Sequence, residues 1–456
     1  MIQQVYFIGI GGIGMSALAR YFKHAGAFVA GYDRTPSGLT ADLEQEGISI
    51  HYQDDPTLIP APVLERPHDT LVIYTPAIPH DHREWNYLQQ KRYRIIKRSK
   101  ALGEIAGTKK CLAIAGTHGK TTTSTLLAHI FTHSGVGCTA FLGGVSKNYR
   151  SNLLLSHSPY LVAEADEFDR SFLQLHPDMA VVTAVDADHL DIFGDYQTLR
   201  EAFCDFVSQI KPQGALVIKE GVNLSIPSTA NYQCYRYALD QPSDFYASNL
   251  SLQKKGFYGF TLHLLGTIIP DCTLSIPGRI NVENAVAAAA LSFLNGITPA
   301  QIQEALSTFQ GVVRRFDIQV NQPDCVYIDD YAHHPAEITA ALQSIKKIYP
   351  HRKVTAIFQP HLFTRTRDFA DAFGESLSLA DELVLLPIYP AREEPIEGVS
   401  SEMLLQKVHI QKKYLIQKTD VIDFLRTHPV EILVTLGAGD IDRLTPEIKT
   451  LLKKNV

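Results

Sequence analysis

The chain has 456 residues, 45% of them hydrophobic and 20% charged, and its formal net charge at pH 7 is −6. That length is too great for one ordinary hydrophobic core and indicates two or three domains of globular character. The acidic balance argues against a sequence-independent nucleic-acid binder, which would normally be basic.

Cysteine usage and the N-terminus indicate a cellular compartment. The six cysteines are scattered and form no C-x-x-C pair, which disfavours both a disulfide framework and a metal cluster. The N-terminus has no basic segment before a long apolar core, and no apolar run approaches the roughly 20 residues that span a bilayer. We therefore expect a soluble, cytoplasmic protein with no membrane and no nucleic-acid partner.

A glycine-rich loop follows the first predicted strand. Residues 5–8 predict a strand and residues 17–22 predict a helix, with Gly9, Gly11 and Gly14 at the start of the intervening stretch and Asp33 about twenty positions later. This spacing is typical of the βαβ unit of dinucleotide-binding folds, and it predicts a phosphate or pyrophosphate at the helix N-terminus. NAD and a UDP-sugar both remain open, with Asp33 near the sugar or the base.

A second phosphate-binding pattern lies in the next segment. The apolar run 111–115 predicts a buried strand, and residues 124–131 predict a helix. Gly116 and Gly119 allow backbone N–H groups to point at an anion, Lys120 can reach the β- and γ-phosphates, and the Thr121 hydroxyl can bind Mg²⁺. Ile114 stands where the full Walker pattern has glycine, so this loop is a shorter form.

Two acidic strand ends follow this loop. Predicted strands at 160–163 and 180–185 lead into acidic stretches that contain Glu164 and His189. Because the carboxyl ends of parallel strands line the ligand crevice, we expect these two side chains to bind Mg²⁺. The alternative is that the acidic residues only cap the helices that follow.

The remaining polar patterns lie before and within the last third. Asn281 and Asn284 are one helical turn apart and can read a purine edge, although Asn281 could instead be a helix N-cap. A strand at 325–328 ends in a polar run with two adjacent histidines, for which a metal chelate is disfavoured because neighbouring side chains point apart. His361, Arg365 and Arg367 follow another strand and indicate an anion site.

Taken in order, the motifs resemble those of the Mur ligases, over nearly the whole chain. The segments that carry the resemblance are residues 9–16, 116–122, 164–167, 188–191, 329–335 and 359–361 with 364–367. The resemblance implies an α/β fold with three domains: a Rossmann-like UDP-sugar domain at 1–107, a central P-loop ATPase with a mostly parallel sheet at 108–312, and a Rossmann-like α/β domain at 313–456 that delivers the amino acid.

The resemblance also implies a reaction, and the motifs are most similar to those of the alanine-adding type. ATP phosphorylates the lactyl carboxylate of UDP-N-acetylmuramate, and the amine of L-alanine attacks the acyl phosphate. The products are an amide, ADP and phosphate, in peptidoglycan precursor synthesis. Cofactors would be ATP and Mg²⁺, and the protein would be a monomer or a weak homodimer.

Site residues follow from the same resemblance. Those implied to be catalytic are Lys120, His189 and Arg365, and those implied to bind magnesium are Thr121, Glu164 and His189. ATP would contact Gly116, Thr117, His118, Gly119, Lys120, Thr121, Thr122, Asn281, Asn284, Arg315, Asp330, His333 and His334. The UDP-sugar would contact Gly9, Gly11, Gly12, Ile13, Gly14, Met15, Ser16, Asp33 and Thr75. The amino acid would contact Tyr331, His361, Arg365 and Arg367.

The chain departs from the family pattern at two places. Many Mur ligases have a lysine, used as a carbamate, on the helix after the Asp-His motif, but residues 200–205 contain none. The alanine-adding type also lacks it, which leaves open what bridges a second metal. Leu362 stands where an arginine is often found, which leaves three alternatives: Arg365 takes that role, Arg367 takes it, or the role is absent.

Three alternatives are kept. A recycling ligase that attaches a peptide to the same sugar nucleotide is the nearest, but its first glycine loop tends to differ from residues 11–15. A nucleotide-dependent oxidoreductase would leave the second loop and the acidic strand ends unexplained. A non-catalytic ATP-driven switch would account for the second loop alone.

Overall fold

The computed structural model describes residues 2–79, 81–186, 190–227, 230–253, 256–391 and 393–454. Its contacts divide the chain into two compact units. The first comprises Met1–Asn249, Phe260–Cys272 and Glu283–Gln310, and the second comprises Leu250–Gly259, Thr273–Val282 and Gly311–Val456. Within the described ranges, none of the helices combines the length and apolar character that a bilayer span requires.

The first sheet is parallel, with strand order β3-β2-β1-β4-β5. Its strands are β1 (Gln4–Ile8), β2 (Phe28–Tyr32), β3 (Ser49–His51), β4 (Thr70–Tyr74) and β5 (Arg94–Lys97). The helices of this region are α1 (Ile13–His24), α2 (Gly38–Gln45), α3 (Ala61–Glu65), α4 (Arg83–Gln90) and α5 (Arg98–Ala106). The register pairs Ile8 with both Tyr32 and Tyr74, so the loops after β1, β2 and β4 leave the same edge of the sheet.

The second sheet has ten strands in the order β15-β14-β13-β12-β11-β10-β6-β9-β7-β8. The strands are β6 (Lys110–Ala115), β7 (Thr139–Ser146), β8 (Ser151–Leu154), β9 (Tyr160–Glu164), β10 (Met179–Val182), β11 (Ala215–Lys219), β12 (Gln233–Leu239), β13 (Phe245–Leu252), β14 (Tyr258–Leu264) and β15 (Thr267–Leu274). The helices are α6 (Lys120–His133), α7 (Leu190–Phe193), α8 (Tyr196–Ser208), α9 (Arg279–Leu294) and α10 (Pro299–Thr308). Its core strands β6, β9, β10 and β11 are parallel.

The third sheet lies in the second unit and has the order β16-β17-β21-β18-β19-β20. Its strands are β16 (Asp317–Asn321), β17 (Val326–Asp330), β18 (Val354–Phe358), β19 (Glu382–Leu385), β20 (Lys413–Leu415) and β21 (Ile432–Leu436), and only β16 is antiparallel to its neighbour. The helices are α11 (Pro335–Ile348), α12 (Phe363–Asp368), α13 (Ala370–Leu377), α14 (Ser401–Gln406), α15 (Val421–Thr427) and α16 (Thr445–Lys454).

These three sheets confirm the predicted α/β fold class, and local chemistry explains several element boundaries. Helix α10 begins at a capping box formed by Thr298 and Gln301, with Pro299 at its first position. In α11, His334 is the N-cap and Pro335 follows it. The domain boundaries at residues 107 and 312 remain predictions.

The helix behind the second phosphate loop is buried along most of its length, including one histidine. His129 of α6 is 3% exposed; its Nδ1 lies 2.9 Å from the Tyr149 hydroxyl and its Nε2 3.0 Å from Thr308 Oγ1. Burial lowers the pKa of His129 to about 4, and the neighbouring His133 adds to the shift. The folded protein therefore keeps this imidazole neutral over a pH range in which an unfolded chain would protonate it.

A pH dependence of stability follows from His129. As the pH falls from about 6.5 towards 4, the unfolded chain takes up this proton first, so the folded state loses stability. We expect the free energy of unfolding of the wild type, relative to that of His129→Gln, to fall by about 2–3 kcal/mol between pH 7 and pH 4.5. Urea denaturation of both proteins at the two pH values measures this change. A difference that stays constant with pH would contradict it.

Candidate active site

The phosphate loop between β6 and α6 is held by the end of a neighbouring strand. Gly116 and Gly119 have φ values of 128° and 81°, which glycine adopts without strain. The Thr117 N–H donates to the carbonyl of Ala184 at 3.0 Å. The Thr183 hydroxyl donates to the carbonyl of His118. The loop is therefore fixed in shape by the chain that follows β10.

Close neighbours leave no room for a side chain at either loop glycine. A Cβ at Gly116 would lie 2.8 Å from the backbone nitrogen of Ala184 and nearer still to the Thr183 side chain. A Cβ at Gly119 would lie 2.6 Å from Oδ1 of Asn284, which belongs to the same compact unit. The structure thus brings Asn284, predicted to contact ATP, to the phosphate loop.

Three carboxylates lie at the end of β9 or just after it, and each has a separate partner. Thr121 Oγ1 donates to Glu164 Oε1 at 3.1 Å, and Lys120 Nζ donates to both carboxylate oxygens of Glu167 at 2.8 and 2.9 Å. Asp166 Oδ1 accepts from the Phe168 N–H at 3.2 Å. The alternative that these residues only cap helices therefore does not account for Glu164 or Glu167, whose carboxylates contact Thr121 and Lys120.

Lys120 is held as a cation inside this acidic surrounding. Burial by itself lowers the pKa of its ammonium, but the carboxylates of Glu167, Asp166 and Glu164 outweigh burial and raise that pKa above its usual value. The ammonium also donates to the Gly116 carbonyl at 2.8 Å. Lys120 therefore stays protonated across the physiological pH range and points along the loop.

The glycine loop of the first sheet is also fixed in shape by neighbouring residues. The Gly11 N–H donates to Asp33 Oδ2 at 2.7 Å, so Asp33 fixes the loop backbone. A Cβ at Gly9 would lie 2.5 Å from Thr75 Cγ2, which requires glycine at a φ of 86°. Helix α1 begins directly after Gly12, and its N-terminus adds N–H donors to this edge.

A cavity of about 260 Å³ joins the glycine loop to the acidic strand end within the first unit. Its lining includes most of the residues predicted to bind the UDP-sugar, namely Gly12, Ile13, Gly14, Met15 and Thr75, together with Glu164. Gly9, Gly11, Asp33 and Ser16 are not among its lining residues. The buried hydroxyl of Ser16 instead contacts the Ile13 carbonyl at 3.0 Å and Asn152 at 2.9 Å.

The helix that follows the glycine loop is fastened to the second sheet. Asn152 of β8 is fully buried, and its Nδ2 donates to the carbonyl of Ile13 at 2.6 Å. Its Oδ1 accepts from Arg20 at 2.5 Å, and Arg20 also binds Glu46. Nothing in the sequence singled out Asn152, because the contact joins segments 139 residues apart.

The second unit gathers a separate set of predicted residues at the carboxyl edge of the third sheet. Arg315 lies 4.9 Å from the ring centre of Tyr331, a distance for a cation–π contact. The Asp330 carboxylate accepts from the backbone N–H groups of Phe316 and Ala332, both at 2.8 Å. Burial raises the pKa of Asp330 to about 6.

The two adjacent histidines of this unit point apart, as expected. His333 Nδ1 lies 3.0 Å from the Tyr331 carbonyl, and its ring is 6.1 Å from that of His361. His334 is the N-cap of α11 and packs edge-on against Phe369 at 4.7 Å. His333 and His361 are thus brought together, whereas His334 has a structural position.

Several other predicted residues have positions that bear on their roles. Arg365 and Arg367 lie on α12, and Arg367 is exposed and paired with Asp368 at 2.7 Å. The N-cap role considered for Asn281 is wrong, because α9 begins at Arg279 and the Asn281 Nδ2 donates to the Pro277 carbonyl at 2.6 Å.

Metal ligands are described only in part. His189, predicted to be catalytic and to bind magnesium, lies outside the described residues, as does Asp188 of the same motif. Among the residues that are described, no group of three or more His, Cys, Asp or Glu side chains could hold a metal ion.

Comparison with known proteins identifies the family. Family models match three consecutive segments: the Mur ligase family catalytic domain over residues 4–110, the Mur ligase middle domain over 114–292 and the Mur ligase glutamate ligase domain over 314–440. The UDP-N-acetylmuramate–L-alanine ligase of Parabacteroides distasonis is 49% identical over 458 aligned residues, which cover 100% of this chain and 98% of that protein.

The chain belongs to the Mur ligase family.

Solved Mur ligase structures agree in fold. The crystal structure of UDP-N-acetylmuramate–alanine ligase from Thermotoga maritima has a TM-score of 0.84 and 27% identity, and the match covers 99% of this chain and 100% of that chain. A murein peptide ligase from Psychrobacter arcticus has a TM-score of 0.71 at 23% identity, covering 99% and 98%; this likeness concerns the fold alone. The family and the amide-forming class predicted from the sequence are confirmed.

Two Mur ligase site residues escaped sequence reasoning. Glu167 belongs to the motif at 164–167, but nothing in the sequence shows that it, rather than Asp166, contacts Lys120. Gly143 of β7 lies against the carboxylate of Glu164, because a Cβ there would lie 2.5 Å from Cδ of Glu164 and nearer still to one of its oxygens. The signal that could have found it is the Gly-Gly pair at 143–144, because glycine inside a strand often marks a close backbone approach.

Proposed function

We propose that this Mur ligase joins L-alanine to the lactyl carboxylate of UDP-N-acetylmuramate at the expense of ATP. The function predicted from the sequence is the one that the Parabacteroides distasonis relative carries in its name. The observation that supports it in this chain is the cavity that runs from the glycine loop to Glu164, whose carboxylate accepts a hydrogen bond from Thr121 at the end of the phosphate loop. A sugar nucleotide and an ATP γ-phosphate would meet at that point.

The reaction proceeds in two transfers. A carboxylate oxygen of the sugar nucleotide attacks the γ-phosphorus, and ADP leaves, which gives an acyl phosphate. The alanine amine then attacks the acyl carbon, the C–N bond forms, and phosphate departs with the carboxylate oxygen as the amine loses a proton. Phosphorylation is needed because a free carboxylate is a poor acyl donor.

Lys120 would lower the main electrostatic barrier to the first transfer, which is the repulsion between the carboxylate and the γ-phosphate. A carboxylate and a triphosphate are both anions, so their approach requires positive charge near the γ-phosphate. Lys120 is a permanent cation at the loop, and the N–H groups at the start of α6 add partial positive charge. The ammonium would exchange the Glu167 carboxylate for phosphate oxygens when ATP binds.

The residues present fit a magnesium ion. Thr121 Oγ1 and Glu164 Oε1 are hard oxygen donors 3.1 Å apart, the ligand type that Mg²⁺ prefers. We propose that they hold it together with His189. When bound, the ion would neutralise phosphate charge.

The remaining assignments stay predictions of the family resemblance. We propose that Asn281, Asn284, Arg315 and Asp330 contact ATP with His333 or His334, and that Tyr331, His361, Arg365 and Arg367 serve the amino acid. The three-domain division at residues 107 and 312, a cytoplasmic location and a monomer or weak homodimer belong to the same proposal. Analytical ultracentrifugation tests the oligomeric state.

Phosphate release tests the proposed function directly. The protein is incubated with ATP, Mg²⁺ and UDP-N-acetylmuramate, and phosphate is measured with L-alanine, glycine, L-serine or a peptide as the amine. We expect release with L-alanine. Release with a peptide alone would indicate the recycling ligase, release without the sugar nucleotide would indicate an ATP-driven switch, and no release with any amine would contradict the proposal.

A further inference from the structure

The cavity beside the glycine loop contains a basic side chain that no family motif singled out. Among the described residues that line it, Arg98 is the only basic one, and Glu164 and Asp166 are both acidic. An anionic ligand that enters this space therefore meets two carboxylates and needs a cation. Arg98 is the first residue of α5, directly after the carboxyl end of β5.

Arg98 lies against the first turn of α1. A Cβ at Gly14 would lie 2.8 Å from Nη1 of Arg98 and 3.2 Å from its Cδ. Gly14 is the second residue of that helix, so the guanidinium stands beside the helix N-terminus. Glycine at this position makes the close approach possible, in addition to its part in the loop.

The donors of Arg98 are unused within the described part of the chain. Its side chain is 23% exposed, and its ion-pair partner, Asp166 Oδ2, lies 3.8 Å from Nη2. That distance is beyond a hydrogen bond, and the structure records no hydrogen bond from this guanidinium in the ranges it describes. Asp166 is close enough to orient the group without satisfying its donors.

Other arginines of the same region differ. Arg94, four residues earlier, is 54% exposed, and its Nη2 donates to both carboxylate oxygens of Glu104 at 2.9 Å. Arg20 reaches Glu46 at 2.7 Å and Asn152 at 2.5 Å. The guanidinium of Arg98 instead lines the cavity with donors that no described residue uses, so these donors are available to a ligand that supplies acceptors.

We propose that Arg98 binds the diphosphate of the sugar nucleotide. The glycine loop and the N-terminus of α1 supply N–H donors to one side of a phosphate pair, and the planar guanidinium supplies a two-pronged donor to the other. The cation also offsets the repulsion from Glu164 and Asp166. This inference rests on the proposed function, because that function specifies a uridine diphosphate ligand.

Calorimetric titration in the absence of ATP tests the assignment. The probes are UDP, which has the diphosphate alone, and UDP-N-acetylmuramate, which adds the sugar and the carboxylate. We expect Arg98→Ala to raise the Kd of both probes by the same factor, about 10- to 100-fold. Arg98→Lys should give a smaller increase in Kd, because lysine keeps the positive charge but loses the two-pronged donor of the guanidinium.

Matched controls separate binding from folding. Arg94→Ala removes an arginine of the same segment and should leave both Kd values unchanged. Thermal unfolding should be similar for all variants. In the ligation assay, Arg98→Ala should raise KM for the sugar nucleotide while kcat and KM for ATP change less than about twofold. If Arg98→Ala unfolds, Arg98→Lys serves as the second variant, because it keeps the positive charge.

Two outcomes would overturn the assignment of Arg98 alone. In the first, the wild type binds both probes and Arg98→Ala binds them with unchanged Kd values. In the second, Arg98→Ala loses affinity only for UDP-N-acetylmuramate, which would place the guanidinium on the carboxylate. Wild-type protein that binds neither probe would overturn the proposed function together with this inference. The titrations therefore distinguish the two failures.

Discussion

Replacing Lys120 with alanine is expected to abolish ligation, with kcat lowered by about 10³-fold or more. Lys120 is the cation of the phosphate loop, held by Glu167 and the Gly116 carbonyl, and no other described side chain of residues 116–122 carries a permanent positive charge. Phosphate release with saturating substrates measures kcat. Binding of UDP-N-acetylmuramate should change little, because its proposed diphosphate contacts lie at the other loop.

The Lys120 variant needs a folding control. Glu167 is fully buried, and removing the cation beside a buried carboxylate is costly, at about 3–5 kcal/mol. The double variant Lys120→Ala, Glu167→Gln removes that charge as well, so it should regain thermal stability and remain inactive. Substantial ligation by either variant would show that Lys120 is not the essential cation.

Replacing Gly143 with alanine should lower kcat by about 100-fold and leave the fold intact. The added Cβ would overlap the carboxylate of Glu164, which is the end of a flexible side chain and can move more easily than a strand. A displacement of about 1 Å at a positioning group can cost about 10²-fold in rate. Phosphate release measures the rate, and circular dichroism with thermal unfolding measures the fold.

A glycine-to-alanine change elsewhere controls for the substitution itself. A Cβ at Gly38, in the first turn of α2, would meet no atom within 4 Å. Gly38→Ala should therefore leave kcat unchanged. Equal activity of the Gly143 and Gly38 variants would show that the approach of β7 to Glu164 is unimportant for the reaction.

The polar residues at the carboxyl edges of the three sheets could be predicted from the sequence, because each motif directly follows its strand in the chain. Short apolar runs predicted β1, β6, β9 and β17, and in parallel sheets the loops after such strands leave at one edge. The register confirms this for the second sheet, where Ala115 pairs with Val182 and Ile114 pairs with Glu164. The predicted meeting of Thr121 and Glu164 follows from that register.

Contacts that depend on one backbone turn could not be predicted. Asp169 and Arg170 have positive φ values of 56° and 51°, and this turn begins two residues after Glu167. Only glycine, asparagine and aspartate commonly signal such a conformation, so Arg170 gave no indication of it. The choice of Glu167 over Asp166 as the partner of Lys120 was therefore invisible in the sequence.

The start of helix α9 also differs from the prediction made from the sequence. The sequence placed the start of a helix at or after Asn281, whereas the structure begins α9 at Arg279. Asn281 then lies inside the first turn, where its amide bonds back to Pro277 rather than capping the helix. An asparagine near a helix start supports either role, and only the backbone conformation decides between them.

The fastening of α1 by Asn152 has a consequence for the rate of the first transfer. The glycine loop and the phosphate loop belong to one compact unit, and a fully buried amide joins the helix of the former to the sheet of the latter. The relative orientation of the two anion sites is thus settled when the chain folds. Bound carboxylate and γ-phosphate would lose little further rotational entropy on approach, which corresponds to a high effective molarity.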